Sequence, residues 1–168
     1  SSDFMILGCS FNDLSSDAFD GDFVTGIIRD SVFEKIAGDA IDLSGSNVTI
    51  ENVAVRDVAD KAISAGENTR IELSGSRFED VGFGVASKDL SEVWIDEVQI
   101  KGARIAALAA YQKKETFGPA EVSAKNLQVT ETKKIHLVQV GSSLSIDGAL
   151  SPSTTLDVEA LYDQDPQK

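Results

Sequence analysis

Apolar residues along most of this chain come in short alternating pairs: Val48/Ile50, Val53/Val55, Ile71/Leu73, Val93/Ile95, Val98/Ile100, Val122/Ala124 and Leu127/Val129. Alternation over three or four residues predicts a strand with one buried face, and no stretch of this region keeps a 3.6-residue period for the length of a helix. The pattern also repeats. Asp17-Ala18-Phe19-Asp20 returns as Asp39-Ala40-Ile41-Asp42, then as Lys61-Ala62-Ile63-Ser64, and more faintly as Phe83-Gly84-Val85-Ala86, each 22 residues further on. A second series, Ile28-Arg29-Asp30-Ser31-Val32-Phe33, matches Ile50-Glu51-Asn52-Val53-Ala54-Val55 at the same interval. A fixed period of this size marks a solenoid, in which each repeat buries its apolar face only against its neighbours.

Each repeat reads as three short strands separated by turns, with Ser44-Gly45-Ser46, Ser74-Gly75-Ser76, Gly66-Glu67-Asn68 and Lys88-Asp89 supplying the turn chemistry. Three strands per 22-residue turn describe an all-β fold, a single-stranded parallel β-helix of about six coils. The coils begin near Phe4, Asp17, Asp39, Lys61, Phe83 and Arg104, and equivalent residues stack roughly 4.8 Å apart. Ile41 should lie over Ile63, and Ile28 over Ile50. Proline is missing from residues 1–118, in keeping with unbroken ladders. Residues 113–119 interrupt the rhythm and predict a protruding loop. The β-helix takes residues 1–150, and residues 151–168 read as a cap and tail. At the other end Phe4, Ile6, Cys9 and Phe11 enter the repeat already under way, with no cap in view. That start is expected of the C-terminal part of a longer solenoid with a further N-terminal domain, and of self-association through the uncapped coil. Cys9, in an alternating stretch, is expected to be a small core residue.

The net charge of −13 sharpens this picture because it is unevenly placed: residues 1–60 hold twelve acids and three bases, a balance of −9, leaving −4 for the rest. Such a surface repels nucleic-acid phosphate and anionic lipid, and favours cations or neutral polyhydroxyl ligands, unless it serves solubility alone. No apolar run approaches a membrane span. The single cysteine excludes an internal disulfide and a cysteine metal cluster.

Candidate chemistry follows from the stacking. Asp17 and Asp39 share one repeat position, Asp20 and Asp42 share another, and Asp22 is near. Stacked carboxylates repel unless protonated, hydrated or bridged, and an oxygen-only cluster suits calcium, although turn aspartates also cap backbone. Lys61 follows Asp39 in the same column and could supply the balancing charge. Lys88 stands beside Glu67 and Asp89, as plain ion pairs or as part of a sugar-binding groove. Tyr111 and Lys113, on the expected protrusion, could stack on and hydrogen-bond a sugar or simply cover the barrel. Trp94 alternates with Val93 and Ile95 and should point outward, a hint of a contact surface. His136 reads as a surface strand residue. There is no Gly-x-Ser-x-Gly elbow, and Gly82-Phe83-Gly84 does not open a helix as a phosphate loop would.

Together, Asp-Ala-Phe-Asp-Gly-Asp-Phe, Gly-Asp-Ala-Ile-Asp-Leu-Ser-Gly-Ser, Asp-Lys-Ala-Ile-Ser-Ala-Gly-Glu, Ala-Ser-Lys-Asp-Leu-Ser and Ala-Tyr-Gln-Lys-Lys, over residues 16–130, resemble the right-handed parallel β-helix repeats of bacterial surface proteins. They are similar in particular to the C-terminal β-helix found with spore-coat-H-type, kinase-like domains. The resemblance implies a right-handed β-helix of the class shared by carbohydrate-binding proteins and polysaccharide lyases, hydrolases and epimerases, at the cell surface or outside the cell. The arginine, histidine and calcium-aspartate set of pectate-lyase-like enzymes finds no residue-by-residue match, and a fold alone does not establish chemistry. The expectation is a non-catalytic module whose polar face binds a polysaccharide or cell-envelope component. A lyase or epimerase with Asp20, Asp39 and Asp42 as acids and Lys61 or Lys88 as base is the alternative, and a structural spacer is a third reading.

Overall fold

The computed structural model describes residues 2–163. Thirteen strands form one continuous sheet wound into a solenoid of about seven turns. In chain order they are β1 (Ser2–Leu7), β2 (Ser10–Leu14), β3 (Phe19–Asp22), β4 (Val24–Ile36), β5 (Ile41–Ser44), β6 (Asn47–Gly66) and β7 (Arg70–Ser74). After these come β8 (Arg77–Lys88), β9 (Glu92–Tyr111), β10 (Glu121–Thr130), β11 (His136–Val138), β12 (Ser143–Ile146) and β13 (Ala149–Leu150), followed by one short helix, α1 (Val158–Tyr162). All strand pairs are parallel except β12–β13, where the chain folds back antiparallel on its last coil. Ile41 pairs with Ile63 and Ile28 with Ile50, as the 22-residue period requires.

The expected short strands fuse into longer ones because the corners do not break the ladder. Two series of corners each turn on one residue with positive φ, and these residues stack. One column holds Asp13, Lys35, Asp57, Asp80 and Gly102; another holds Asp30, Asn52, Gly75, Glu97 and Asn126. Asp, Asn and Gly tolerate this conformation best, which is why the turn aspartates recur at the coil period. A corner residue still interrupts the backbone pairing, and side-chain hydroxyls take over the orphaned N–H groups. Val24 N–H donates to Ser46 Oγ (3.0 Å), Ser46 N–H to Thr69 Oγ1 (3.2 Å) and Thr69 N–H to Ser91 Oγ (3.0 Å).

Inward residues of successive coils stack into apolar columns. Ile28, Ile50, Leu73, Ile95 and Ala124 make one; Phe33, Val55, Phe78 and Ile100 make another, extended by the Phe11 ring stacked on Phe33 at 4.7 Å. A fully buried side chain of this kind contributes about 1.5–3 kcal/mol. The step from Trp94 to Ser123 is 29 residues, the usual 22 lengthened by the seven of 113–119, so the insertion leaves the register intact. That insertion is tied down rather than free: Asp89 Oδ1 accepts the N–H groups of Lys113 (2.7 Å) and Lys114 (2.8 Å).

Cys9 is exposed, against the expectation of a core position. It follows the positive-φ corner at Gly8, and among the described residues its stacking partner is Ser31 of the next coil, which is buried while Cys9 is not. Met5 and Phe23, 69% and 66% exposed, lie at this same end. At the other end residues 151–163 leave the last coil and run back along one flank, where Leu156, Val158, Leu161 and Tyr162 pack on Phe83, Ala86, Ala106, Ala109, Tyr111 and Leu137. The remainder of the expected tail, 164–168, lies outside the described residues. Among the described residues no helix is long and apolar enough to cross a membrane.

The hydroxyl bridges are directly testable at Thr69, whose buried Oγ1 also donates to the Gly66 carbonyl at 2.7 Å. Thr69→Val keeps the shape but strands the buried Ser46 N–H, and should cost about 1–3 kcal/mol in urea unfolding. An unchanged midpoint would show that the corner hydroxyls are dispensable.

Candidate functional site

The sequence-derived site residues gather on one outward sheet face, formed by β3, β5 and the C-terminal parts of β6, β8 and β9. Stacking gives that face two columns. One reads Asp20, Asp42, Ser64, Ala86 and Ala109; the other reads Asp22, Ser44, Gly66, Lys88 and Tyr111. The face therefore changes character along the axis, acidic in the early coils and apolar in the late ones. The returning C-terminal segment covers the apolar half, and the two lysines stand at the border.

Lys61 takes the balancing role expected of it. Its Nζ lies 2.8 Å from Asp60 Oδ2 and 3.9 Å from Asp39 Oδ1, with the lysine only 3% exposed. Within the same column, Asp17 Oδ1 accepts the Asp39 N–H (2.7 Å) and Asp39 Oδ1 accepts the Lys61 N–H (2.9 Å). These aspartates are thus backbone caps reaching from one coil to the next. Burial pushes the Asp39 carboxyl up to about 7, against the opposing pull of Lys61. Burial also opposes the Lys61 charge, but Asp39 and Asp60 outweigh it and hold the ammonium above its ordinary value. Asp20 is raised by partial burial and by the like charges of Asp42, Asp22 and Asp17. Carboxylate oxygens of Asp17, Asp39 and Asp42 come within 4.8 Å of one another. Calcium could meet oxygen donors here, but two of the three carboxylates already serve backbone N–H groups and Lys61 supplies the positive charge.

Lys88 does not pair with Glu67 or Asp89. Its Nζ donates to Ser64 Oγ at 2.9 Å, while the Glu67 carboxylate pairs with Lys114. Burial, and then the Lys61 charge, lower Lys88 below the usual lysine range. A neutral amine is the form a general base needs, yet this one is 8% exposed and hydrogen-bonded to a buried serine. Asp89 is likewise buried, spent on the 113–119 loop. Tyr111 is the clearest departure from expectation. It ends β9 rather than standing on the protrusion, is fully buried, and its hydroxyl meets that of Tyr162 at 2.9 Å. Lys113 is exposed, with Nζ 4.1 Å from the Tyr162 ring centre, and Lys61 approaches the same ring at 5.4 Å. Tyr162 thus seals the lysine border of the flank.

The open groove lies on a different face of the solenoid. The N-terminal part of β6 runs beside β7, β9, β10 and β12, and their outward residues form a row, Thr49, Glu72, Trp94, Ser123 and Ser145, in continuous register. A second row holds Glu51, Ser74, Asp96 and Lys125. The groove has a volume of about 630 Å³. Trp94 stands at its centre, 43% exposed, as its alternation with Val93 and Ile95 predicts. Apart from that tryptophan, sequence reasoning missed this site. The signal was present nonetheless: the residue between each apolar pair (Thr49 in Val48/Ile50, Glu72 in Ile71/Leu73, Ser123 in Val122/Ala124) is the row itself.

A family model described as "Right handed beta helix region" matches residues 1–148, and the chain belongs to that family. No curated protein and no solved structure matches it.

The lysine border makes a prediction with a definite pH dependence. Lys61→Met leaves Asp39 and Asp60 without their cation and should cost about 3–5 kcal/mol at pH 8. Because the Asp39 pKa is raised on folding, protonation relieves the variant as pH falls through about 7 toward the unfolded value near 4, so the loss should shrink by pH 5. Calcium should raise the melting temperature of the variant more than that of the parent. A parent already strongly stabilised by calcium, or a pH-independent loss, would contradict the role given to Lys61.

Proposed function

We propose that this right-handed β-helix is a rigid, non-catalytic module that binds a glycan along the Trp94 groove, in the setting of a cell surface or envelope. The observation that carries this reading is the half-exposed indole at the centre of a five-rung polar row. Aromatic faces bury the apolar face of a sugar ring, and the Thr49, Ser123 and Ser145 hydroxyls with the Glu72 carboxylate stand where sugar hydroxyls need partners. Five rungs span about 19 Å at the strand spacing, the extent of an elongated rather than a compact ligand. All of it is carried on one sheet, so the site is formed before the ligand arrives and little ordering entropy is lost on binding.

The alternative, a lyase or epimerase acting through Lys61 or Lys88, draws its only support from the lowered pKa of Lys88. That amine lies on the flank, whereas the groove lies on another face of the solenoid.

Trp94 is the sole tryptophan, so its emission reports on the groove and nothing else. Titration with a panel of neutral, acidic and amine-bearing oligosaccharides should give a saturable blue shift with at least one of them. In calorimetry Trp94→Ala should weaken that binding about tenfold or more, with far-UV circular dichroism and melting temperature unchanged. No response to any member of the panel would overturn the proposal.

A further inference from the structure

The charges in the groove are unequal in a way that selects among glycans. Three carboxylates, Glu51, Glu72 and Asp96, line it against one ammonium, Lys125. Asp96 is already satisfied: Lys125 Nζ lies 3.6 Å from it and Asn126 Nδ2 donates to it at 2.8 Å. In the row beyond, Arg70 is paired with Glu92 at 3.8 Å. Glu51 and Glu72 have no side-chain partner among the described residues. Glu72 is the direct strand neighbour of Trp94, and Glu51 flanks Thr49 on the same face. The groove therefore offers two uncommitted negative charges, one of them a single strand spacing from an exposed indole.

That juxtaposition has a definite complement. A protonated amine placed between the Glu72 carboxylate and the face of Trp94 gains an ion pair and a cation–π contact together, which a hydroxyl or an acetamide does not. A uronic acid would meet two like charges, while the nearest cations are engaged, Lys125 with Asp96 and Arg29, the strand neighbour of Glu51, with Asp30 at 3.5 Å. We infer that the Trp94 groove selects glycans bearing free amino groups, with Glu72 and Glu51 as the residues that read the amine and the serine and threonine hydroxyls as partners for the sugar hydroxyls. This inference rests on the glycan reading above and narrows it to one charge class. The acidity of the whole chain supports it kinetically, since a net charge of −13 draws a polycation in and keeps a polyanion away.

The test is a calorimetric comparison of four probes on the intact chain: a glucosamine tetramer, its N-acetylated counterpart, an oligogalacturonate and a tetralysine peptide. The glucosamine tetramer should bind at least tenfold more tightly than the N-acetylated one at low salt, and the oligogalacturonate should not bind. That advantage should shrink in 0.5 M salt and in Glu72→Gln, while Trp94→Ala weakens both sugars. Equal affinity for the two sugars would overturn the amine selection and leave glycan binding standing. Binding of none of the sugars would overturn both. Tetralysine binding as tightly as the glucosamine tetramer would show that the groove reads a cationic peptide instead. Unchanged circular dichroism for Glu72→Gln separates a lost contact from a lost fold.

Discussion

Everything in this molecule depends on the backbone hydrogen bonds between one coil and the next. A solenoid coil has no core of its own; it becomes stable only when its N–H and C=O groups and its inward side chains meet an equivalent coil one strand spacing away. Register is therefore the controlling variable, because a slip of one residue would turn every buried Ile and Val outward. The chain protects it in three ways. Positive-φ residues turn the corners without leaving the ladder, Ser and Thr hydroxyls bridge the N–H groups that the corners orphan, and aspartates of one coil cap the backbone of the next.

The same stacking decides where chemistry can occur. Because each column is read down successive coils, charges distant in sequence arrive side by side and must be reconciled locally. At the lysine border of the flank the reconciliation is complete: Asp39 and Asp60 hold Lys61, Ser64 holds Lys88, and the C-terminal segment brings Tyr162 over the border, while Asp20, Asp22 and Asp42 on the earlier coils still repel one another. On the Trp94 sheet it is not, since Glu51 and Glu72 keep unspent charge beside an exposed ring. A cluster that has satisfied itself is architecture; unspent charge beside an exposed aromatic ring is what suits the Trp94 face to a ligand.

The fold was legible because period and alternation are both local, repeated signals. The 22-residue recurrence of Asp-Ala-Phe-Asp announced the coil, and the pairing of Ile41 with Ile63 follows from it directly. The ion pair of Lys61 with Asp39 was legible for the same reason. Less visible was whatever depended on a contact outside the repeat. Tyr111 looked like part of a protrusion because nothing in residues 104–119 shows that Tyr162 comes back to cover it. Lys88 seemed poised for Asp89, yet Asp89 turns to the inserted loop and Lys88 to Ser64, a choice made by the buried surroundings. The groove escaped notice because attention to buried pairs passes over the residue between them, and a step of 29 separates Trp94 from Ser123.

Mapping of amide chemical shifts on adding a saturating amine-bearing oligosaccharide tests the central claim most directly, that the ladder gathers residues dispersed along the chain into one binding row. The account predicts perturbations in step at 49, 51, 72, 94, 96, 123 and 125, with Lys61, Lys88 and Tyr111 on the flank unmoved. Perturbations confined to one continuous stretch of sequence, or centred on Lys61 and Lys88, would contradict it.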